Sequence, residues 1–277
     1  MIIDVLDKIY TSIKGENSTL DKFRVYSVFR VIVRVFANVV FPLYFRVTSN
    51  NPSYKLPTCN KKSGRLIVSL TSFPARIGKL WNVIETILHQ SYKPDMILLW
   101  LSEKQFPDRD SIPESLLRLE KRGLMIRIVP EDYRSHKKYY YCLREFPDDH
   151  IVTIDDDVYY DSHLLERMMV LHEQYPEAVI TNHAHKMTYD GEGNLMSYRQ
   201  WEYHTDSNDN LFVIGMGGNL YPAHCMDARV NDIKLAYDLT PTGDDIWLNA
   251  MVRLNGTKII HGPYYFIEQI PVINLHN

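Results

Sequence analysis

Short apolar segments alternate with amphipathic segments from residue 65 onward, and this alternation limits the possible folds. The segments of strand length and composition are residues 66–70, 96–101, 125–129, 151–154, 178–182 and 258–260. Between them, residues 79–90, 111–122, 139–146 and 163–175 have the apolar spacing of helices, with Ser111 as a plausible cap. Strands that are apolar on both sides predict a mostly parallel sheet flanked by helices, an α/β fold. Right-handed crossovers then place the loops after the strands at one edge.

Three adjacent carboxylates, Asp155, Asp156 and Asp157, follow the apolar segment 151–154. Their mutual repulsion costs stability unless a cation compensates it, and Mn²⁺ or Mg²⁺ prefers carboxylate and phosphate oxygens. Ligands of open α/β sheets bind at the carboxyl ends of the strands. The sequence therefore predicts a metal and phosphate site here. The alternative is a solvated acidic turn before the next helix, which begins near Asp161.

Composition and charge narrow the class of protein. The 277 residues are 45% apolar, enough for one large or two small domains with a full core. The net charge of −3 gives no global basic field for nucleic acid. The widely spaced cysteines Cys59, Cys142 and Cys225, together with Asp4 and Asp7 in place of a secretory signal, predict a cytoplasmic protein without disulfides.

The first sixty residues predict a helical extension that precedes the main domain at residues 61–277. Apolar residues recur at helical spacing (Val25, Val28, Phe29, Ile32, Phe36), with Ser27, Arg30, Arg34 and Asn38 opposite, up to about Pro42. Residues 22–47 carry five basic residues and no acidic one (Lys22, Arg24, Arg30, Arg34, Arg46). The longest charge-free run, residues 35–45, is too short to span a bilayer.

Such a helix could lie on an anionic membrane surface. The alternative is a helix packed on the protein's own core or at a subunit interface, and the oligomeric state is open. Residues 50–64, rich in Pro, Asn, Ser and Lys, read as a linker.

The second half carries another acidic pair and a glycine cluster. Asp244 and Asp245 begin an apolar helix, where the helix dipole alone would stabilise them. Gly215, Gly217 and Gly218 predict tight turns or a close approach of the backbone to a ligand.

The chain resembles GT-A glycosyltransferases, close to the family-two type of bacterial polysaccharide synthesis. The matching segments are Val68-Ser69-Leu70-Thr71-Ser72-Phe73-Pro74-Ala75-Arg76, Leu88-His89-Gln90-Ser91 and Ile154-Asp155-Asp156-Asp157. The resemblance spans about residues 65–264 and implies a Rossmann-like GT-A domain. Its nucleotide-binding half would be about residues 65–160, and its acceptor and catalytic half about residues 161–277.

The resemblance also implies roles for individual residues. Thr71, Ser72 and Arg76 would line the nucleotide pocket, with Ser102 or Glu103 near the base, and Lys137 and Lys138 could neutralise phosphate. Asp155 and Asp156 would serve the ribose or the metal, and Asp157 would ligate the metal. Gly217 and Gly218 would approach the donor sugar and acceptor, and His261 would bind metal or diphosphate. Asp245 would be the general base, and Asp244 would position the acceptor or brace the loop.

The implied function is metal-dependent transfer of a sugar from a nucleotide-diphosphate donor, expected to be UDP-linked, to a hydroxyl of a glycan or lipid-linked oligosaccharide. Inversion is expected because the sequence offers no obvious nucleophile near the donor, and the setting would be capsule, O-antigen or exopolysaccharide synthesis at the inner face of the cell membrane. One alternative is a haloacid-dehalogenase-like phosphatase with Asp155 as nucleophile and Asp157 as acid/base. Another is a non-catalytic scaffold that binds nucleotide sugar or glycan.

Overall fold

The computed structural model describes residues 1–12, 25–203, 208–262 and 269–274. The predicted basic residues Lys22 and Arg24, and the end of the resemblance beyond residue 262, lie outside these ranges. In the described part, two N-terminal helices precede an α/β domain.

The N-terminal extension consists of α1 (Ile2–Ser12) and α2 (Val25–Thr48), which pack against each other. Helix α2 continues through Pro42 for 24 residues, so the predicted end near that proline is wrong. The side chains of Val33, Ala37, Phe41 and Phe45 are buried along one face of α2. This face packs on the domain, where Phe41 contacts the ring of Tyr159 and α2 contacts the helix Leu80–Leu88.

The first half of the domain follows the predicted strand and helix order. Its strands are β1 (Leu66–Thr71), β2 (Met96–Ser102), β3 (Leu124–Val129) and β4 (His150–Thr153). Its helices are α3 (Pro74–Ile77), α4 (Leu80–Leu88), α5 (Glu114–Leu117) and α6 (Lys137–Glu145). Residues 111–122 form less helix than predicted: α5 is one turn with Pro113 at its N-cap, and a 3-10 helix, Arg118–Arg122, follows. Ser111 instead ends a 3-10 turn that is capped by Asp108.

The second half adds shorter elements. They are α7 (Leu164–Gln174), β5 (Val179–Thr181), β6 (Ala184–Lys186), β7 (Leu211–Val213), β8 (Asn219–Tyr221), α8 (Ile233–Leu239), α9 (Asp244–Leu254) and β9 (Ile259–His261). Strands β6 and β7 form a separate antiparallel pair.

Among the described residues, the central sheet has seven strands in the order β3-β2-β1-β4-β8-β5-β9. The pairs β1–β2, β2–β3, β1–β4 and β5–β9 are parallel. Strand β8 runs antiparallel to β4 and β5, between which it lies. The predicted α/β class, a mostly parallel sheet flanked by helices, is confirmed, and the carboxyl ends of β1, β2, β3 and β4 meet at one edge.

Candidate active site

A cavity of about 830 Å³ opens at this edge of the sheet. It brings together the loops after β1, β2, β3 and β4 and the N-terminus of α9. Its lining includes Thr71, Ser72, Arg76, Lys137, Lys138, Asp155, Asp156, Asp157, Asp244 and Asp245, ten of the residues that the sequence indicated. The two acidic motifs, nearly ninety residues apart in sequence, therefore face one space.

Backbone contacts hold the loop after β4 in place. The N–H of Ile154 donates to the carbonyl of Ser69 in β1 at 3.2 Å, which extends the sheet by one residue. The N–H of Asp155 donates to the hydroxyl of Tyr160 at 2.8 Å. The N–H of Val272 donates to the carbonyl of Asp157 at 2.7 Å. These hydrogen bonds thus hold the backbone of the loop that carries the three carboxylates.

The three carboxylates of this loop have different environments. Asp156 is buried and accepts hydrogen bonds from the Ser72 hydroxyl at 2.6 Å and from Arg76 at 2.8 Å. The side chains of Asp155 and Asp157 each keep 31% of their surface exposed. Asp156 therefore ties the loop to the segment after β1, whereas Asp155 and Asp157 are the two carboxylates that a ligand can reach.

Asp157 shares its cation with a neighbour. Its carboxylate lies 2.8 Å from the same Arg76 nitrogen that binds Asp156. Burial raises the pKa of Asp157; Arg76 opposes this shift, and the carboxylates of Asp156 and Asp155 add to it. A raised pKa means that the anionic form of Asp157 is under-compensated by the protein's own cations, so an added cation would stabilise it.

Lys138 links the two acidic motifs. This fully buried ammonium lies 2.8 Å from Asp155 and 2.9 Å from Asp244. Burial alone would lower the pKa of Lys138, but the charges of Asp155 and Asp244 outweigh it and raise the pKa well above its usual value. The same ion pair lowers the pKa of Asp244 against the opposing effect of burial. Lys138 is therefore a permanent cation at the floor of the cavity.

Asp245 is the second carboxylate of the Asp244–Asp245 pair, and nearby cations compensate its negative charge less than that of Asp244. It accepts a hydrogen bond from the N–H of Gly215 at 2.9 Å. Burial raises the pKa of Asp245 to about 7, with a further contribution from the charge of Asp244, while Lys138 acts in the opposite direction. A carboxyl group with a pKa near 7 is suited to accept a proton at neutral pH.

The charges of the cavity argue for a metal. Six carboxylates (Asp132, Asp155, Asp156, Asp157, Asp244, Asp245) face four cationic side chains (Arg76, Arg134, Lys137, Lys138). In the described chain, no three His, Cys, Asp or Glu side chains are grouped as a metal site made by protein alone. Two accessible carboxylates fit Mn²⁺ or Mg²⁺ nonetheless, because such ions take one or two carboxylates and complete their coordination with water and substrate phosphates.

Five of the sequence-predicted residues lie outside the lining of this cavity. Ser102 is buried, with its hydroxyl accepting from the N–H of Lys104, and Glu103 points to solvent. Gly217 packs on His183, where an added Cβ would lie 2.5 Å from the Cβ of His183.

Gly218, with a φ of 75°, packs on α7 rather than on a ligand, and His261 lies on β9. Strands β8 and β5 separate β9 from β4, a distance of about 14 Å at the usual strand spacing. The structure thus gives these glycines a packing role and separates His261 from the acidic loop.

The cavity also contains residues that the sequence reading missed. Gln105, Asp132, Arg134, Ser135 and Thr242 line it beside the predicted residues. The side chain of Gln105 donates to Asp132 at 2.9 Å, and Lys137 pairs with Asp132. The loop after β3 reaches the same edge as the loops after β1, β2 and β4, so the topology could have indicated Asp132 and Arg134.

Comparison with protein families identifies a glycosyltransferase domain in this chain. The model of the glycosyl transferase family 64 domain matches residues 66–260, which include both acidic motifs. A solved structure of CMP:2-keto-3-deoxy-manno-octonic acid synthetase complexed with CTP is similar at 10% identity and a TM-score of 0.39, over 72% of this chain and 89% of that one. No curated protein sequence matches.

The implied class, a glycosyltransferase, is confirmed, but the matching family is number 64, whereas the resemblance pointed to the family-two type. The match covers most of the chain and extends from β1 into β9. The chain therefore belongs to the glycosyl transferase family 64 domain family.

Proposed function

We propose that the protein transfers a sugar from a nucleotide-diphosphate sugar, UDP-linked, to a hydroxyl of a glycan or a lipid-linked oligosaccharide. One observation carries the proposal: Lys138 holds Asp155 and Asp244 together, so that the loop after β4 and the start of α9 form one cavity. A donor site and a carboxylate for the acceptor are both needed for sugar transfer, and here they are adjacent.

The donor's diphosphate would bind between Arg76, Lys138 and a divalent ion. Asp155 and Asp157 would hold Mn²⁺ or Mg²⁺, because their carboxylates are accessible while Asp156 is engaged with Ser72 and Arg76. The ion would supply positive charge against the diphosphate as it leaves. Without it, a dianionic diphosphate would enter a cavity whose carboxylates outnumber its cations.

Asp245 is our candidate for the general base. In the transfer, the bond between the anomeric carbon and the diphosphate oxygen breaks, and a bond from that carbon to the acceptor oxygen forms. The acceptor's proton moves to Asp245, and the nucleoside diphosphate leaves with the bonding electrons. Attack opposite the leaving group would invert the anomeric configuration. A raised pKa supports this role for Asp245.

Calorimetric titration of UDP into the protein tests the donor site. We expect UDP to bind in the presence of Mn²⁺ and to lose at least about tenfold in affinity with EDTA, since the metal offsets the charge of the cavity. Asp157→Asn should abolish the effect of Mn²⁺. Asp148→Asn is the control, because Asp148 is exposed and pairs with His224 at the surface. UDP binding that ignores the metal, or survives Asp157→Asn unchanged, would contradict the metal assignment.

The anomeric configuration of the product tests the stereochemistry. Proton NMR of the first product formed should show the configuration opposite to that of the donor. Retained configuration would refute inversion and would require Asp245 to act other than as the acceptor's base. Hydrolysis of phosphate monoesters without sugar transfer would instead favour the phosphatase alternative, for which no contact described above argues.

We also propose a cytoplasmic setting, with surface polysaccharide as the acceptor class. The three cysteines are free thiols, which suits a reducing compartment. Transfer to a lipid-linked oligosaccharide but not to a free monosaccharide would support that acceptor class, and the reverse preference would exclude it.

A further inference from the structure

Helix α2 presents an apolar face to solvent, opposite the face that packs on the domain. The side chains of Val28, Phe29, Ile32, Phe36, Val39 and Leu43, which we call the outward face, each expose 53–57% of their surface. Helix α1, which packs against α2, also exposes Val5 and Ile9. Scattered exposed apolar residues are ordinary, but a continuous apolar helix face marks an interaction surface.

The charged side chains of the two helices are arranged differently from the sequence-based expectation. Arg30 lies over the ring of Tyr10 in α1, and Arg34 is half-buried, so the expected basic face is turned toward the protein. Asp7 is buried, and Asp4 accepts hydrogen bonds from the N–H and hydroxyl of Ser162. The exposed charges on α1 and α2 are cations, Lys8 and Arg46.

We propose that the outward face of α2 inserts into the surface of a lipid bilayer, with the helix axis parallel to the membrane. The insertion is driven by apolar burial rather than by attraction between basic residues and anionic lipid. It goes beyond the proposed sugar transfer and does not depend on it.

A lipid surface fits this face better than a protein partner. Every exposed residue of α2 from Val28 to Leu43 is apolar, so the face offers no hydrogen-bonding side chain, and acyl chains require none. Protein interfaces, in contrast, are enriched in Tyr, Trp and Arg and carry about ten hydrogen bonds. At the end of the face, the guanidinium of Arg46 lies 5.8 Å from the ring of the half-buried Trp81. Tryptophan and basic residues are favoured at the depth of lipid headgroups.

The packing of α2 argues for a helix that lies in the membrane plane. The helix is long and apolar enough to cross a membrane by length and composition. However, Val33, Ala37, Phe41 and Phe45 are buried along its length. The side chain of Asn38, at its middle, hydrogen-bonds the carbonyl of Pro271 and the N–H of Ile273. A spanning orientation would carry these polar contacts and the adjoining domain surface into the hydrocarbon.

Flotation of the full chain with vesicles tests the proposal. We expect the protein to float with pure phosphatidylcholine vesicles, and to float equally well at high salt. The variant Ile32→Glu/Phe36→Glu should remain at the bottom of the gradient, because two buried carboxylates would oppose insertion. Val170→Glu is the matched control: Val170 is 51% exposed on α7, and this variant should float like the wild type.

Three results would overturn the proposal. One is the absence of flotation with any vesicle. A second is flotation that requires anionic lipid and disappears at high salt, which would assign binding to basic residues. The third is a dimer in light scattering that Ile32→Glu/Phe36→Glu dissociates, together with no vesicle binding, which would assign the face to a second copy. Unchanged thermal unfolding of the variant is the check that it folds.

Depth-dependent quenching tests the orientation. Phe29→Trp, Phe36→Trp and Leu43→Trp place a fluorophore at successive positions of the outward face. A helix in the membrane plane gives all three variants the same quenching by lipids brominated at a shallow position. A graded depth from Phe29→Trp to Leu43→Trp would show a spanning helix and would refute the orientation proposed here.

Discussion

Lys138 shows how a single buried cation can organise a site of several carboxylates. Taking an ammonium group out of water is costly, and only well-placed partners compensate for it. Asp155 and Asp244 are those partners, at 2.8 and 2.9 Å. The pair of contacts therefore joins two segments that the sequence separates, and it keeps one positive charge where a diphosphate would arrive.

Replacing Lys138 should destabilise the fold strongly. In Lys138→Met, Asp155 and Asp244 lose their shared cation, so we expect the free energy of unfolding to fall by about 3–5 kcal/mol. Lys104→Met is the control, because Lys104 pairs with Glu131 at the surface, where solvent screening leaves such a pair with little effect on stability. Urea denaturation measures both. A loss for Lys138→Met no larger than for Lys104→Met would contradict the described role of Lys138.

The pKa of Asp245 predicts the pH dependence of turnover. Because the base must be deprotonated, kcat/KM should rise with pH through about 7. Asp245→Asn should lower turnover by about 10²–10⁴-fold and remove this limb, with UDP affinity unchanged. A pH profile that is flat between 5 and 8 in the wild type would argue against Asp245 as the base.

The same shift predicts a change of stability with pH. The folded pKa of Asp245 lies above the ordinary value of 3.8, so folding favours the protonated form. The stability that this group supplies is complete below pH 3.8 and is lost as the pH rises to about 7. Asp245→Asn cannot titrate, so its stability relative to the wild type should increase over this window in urea unfolding at several pH values.

We expect the charge of Asp244 to influence the pKa of the neighbouring candidate base, Asp245. The charge of Asp244 helps to raise the pKa of Asp245, whereas Lys138 lowers it. Asp244→Asn removes the first effect and keeps the second, so the limb of kcat/KM should move to lower pH. A limb that moves upward, or stays in place, would show that Asp244 does not act on Asp245 through its charge.

At the level of elements, the sequence predicted the strands of the first half and missed the direction of β8. Segments 66–70, 96–101 and 125–129 are predominantly apolar, and each forms a parallel strand. Strand β8 has three residues and follows the glycine cluster, and nothing in so short a segment distinguishes parallel from antiparallel pairing. Its direction comes from the register with β4 and β5, which is tertiary information.

The orientation of α2 was hidden in the sequence for a related reason. Apolar spacing identifies the residues that share a face, but α2 has two apolar faces. The domain packs against the face that contains Ala37, Phe41 and Phe45. The apolar residues of the other, predicted face are exposed (Val28, Phe29, Ile32, Phe36). The choice depends on the shape of the domain surface, where Phe41 meets Tyr159 and Phe45 faces Trp81.

The 3-10 turn Gly215–Gly217 predicts a sensitive position beside the candidate base. A Cβ at Gly215 would lie 2.8 Å from the carboxylate of Asp245. Gly215→Ala should therefore displace this carboxylate and reduce turnover on the order of 100-fold, with UDP affinity unchanged. Gly191→Ala is the control, because a Cβ there meets nothing within 4 Å. Equal turnover of both variants would show that the space at Gly215 does not determine the position of the Asp245 carboxylate.

Asn38 predicts a link between the N-terminal helix and the acidic loop. Its side chain binds the carbonyl of Pro271 at 2.9 Å and the N–H of Ile273 at 2.8 Å, and the intervening Val272 binds Asp157. Asn38→Ala should cost about 1–3 kcal/mol of stability and weaken Mn²⁺-dependent UDP binding. Ser27→Ala, on the exposed surface of the same helix, should change neither. Calorimetry and urea denaturation compare the two.

At the scale of the whole molecule, the sequence predicted most of the charged residues that form the site but not the arrangement of their side chains. Parallel topology indicated that Ser72, Arg76 and Asp155 would meet, and they do. That Asp156 would turn inward, and that Lys138 would join Asp155 to Asp244, depends on side-chain packing from both halves. His261 failed to reach the cavity because the sheet order inserts β8 and β5 between its strand and β4.

The contact between Asn38 and Pro271 joins residues 233 positions apart, and this separation has a consequence for biosynthesis. Strands β1, β2, β3 and β4 leave the ribosome well before residues 271–273, and they contain most of the parallel pairing. Closing so long a loop is entropically slow compared with local pairing. A nascent chain can therefore pair these four strands while the acidic loop still lacks the backbone hydrogen bond from Val272. The order of translation therefore lets strands β1, β2, β3 and β4 pair before the acidic loop gains its contact with Val272.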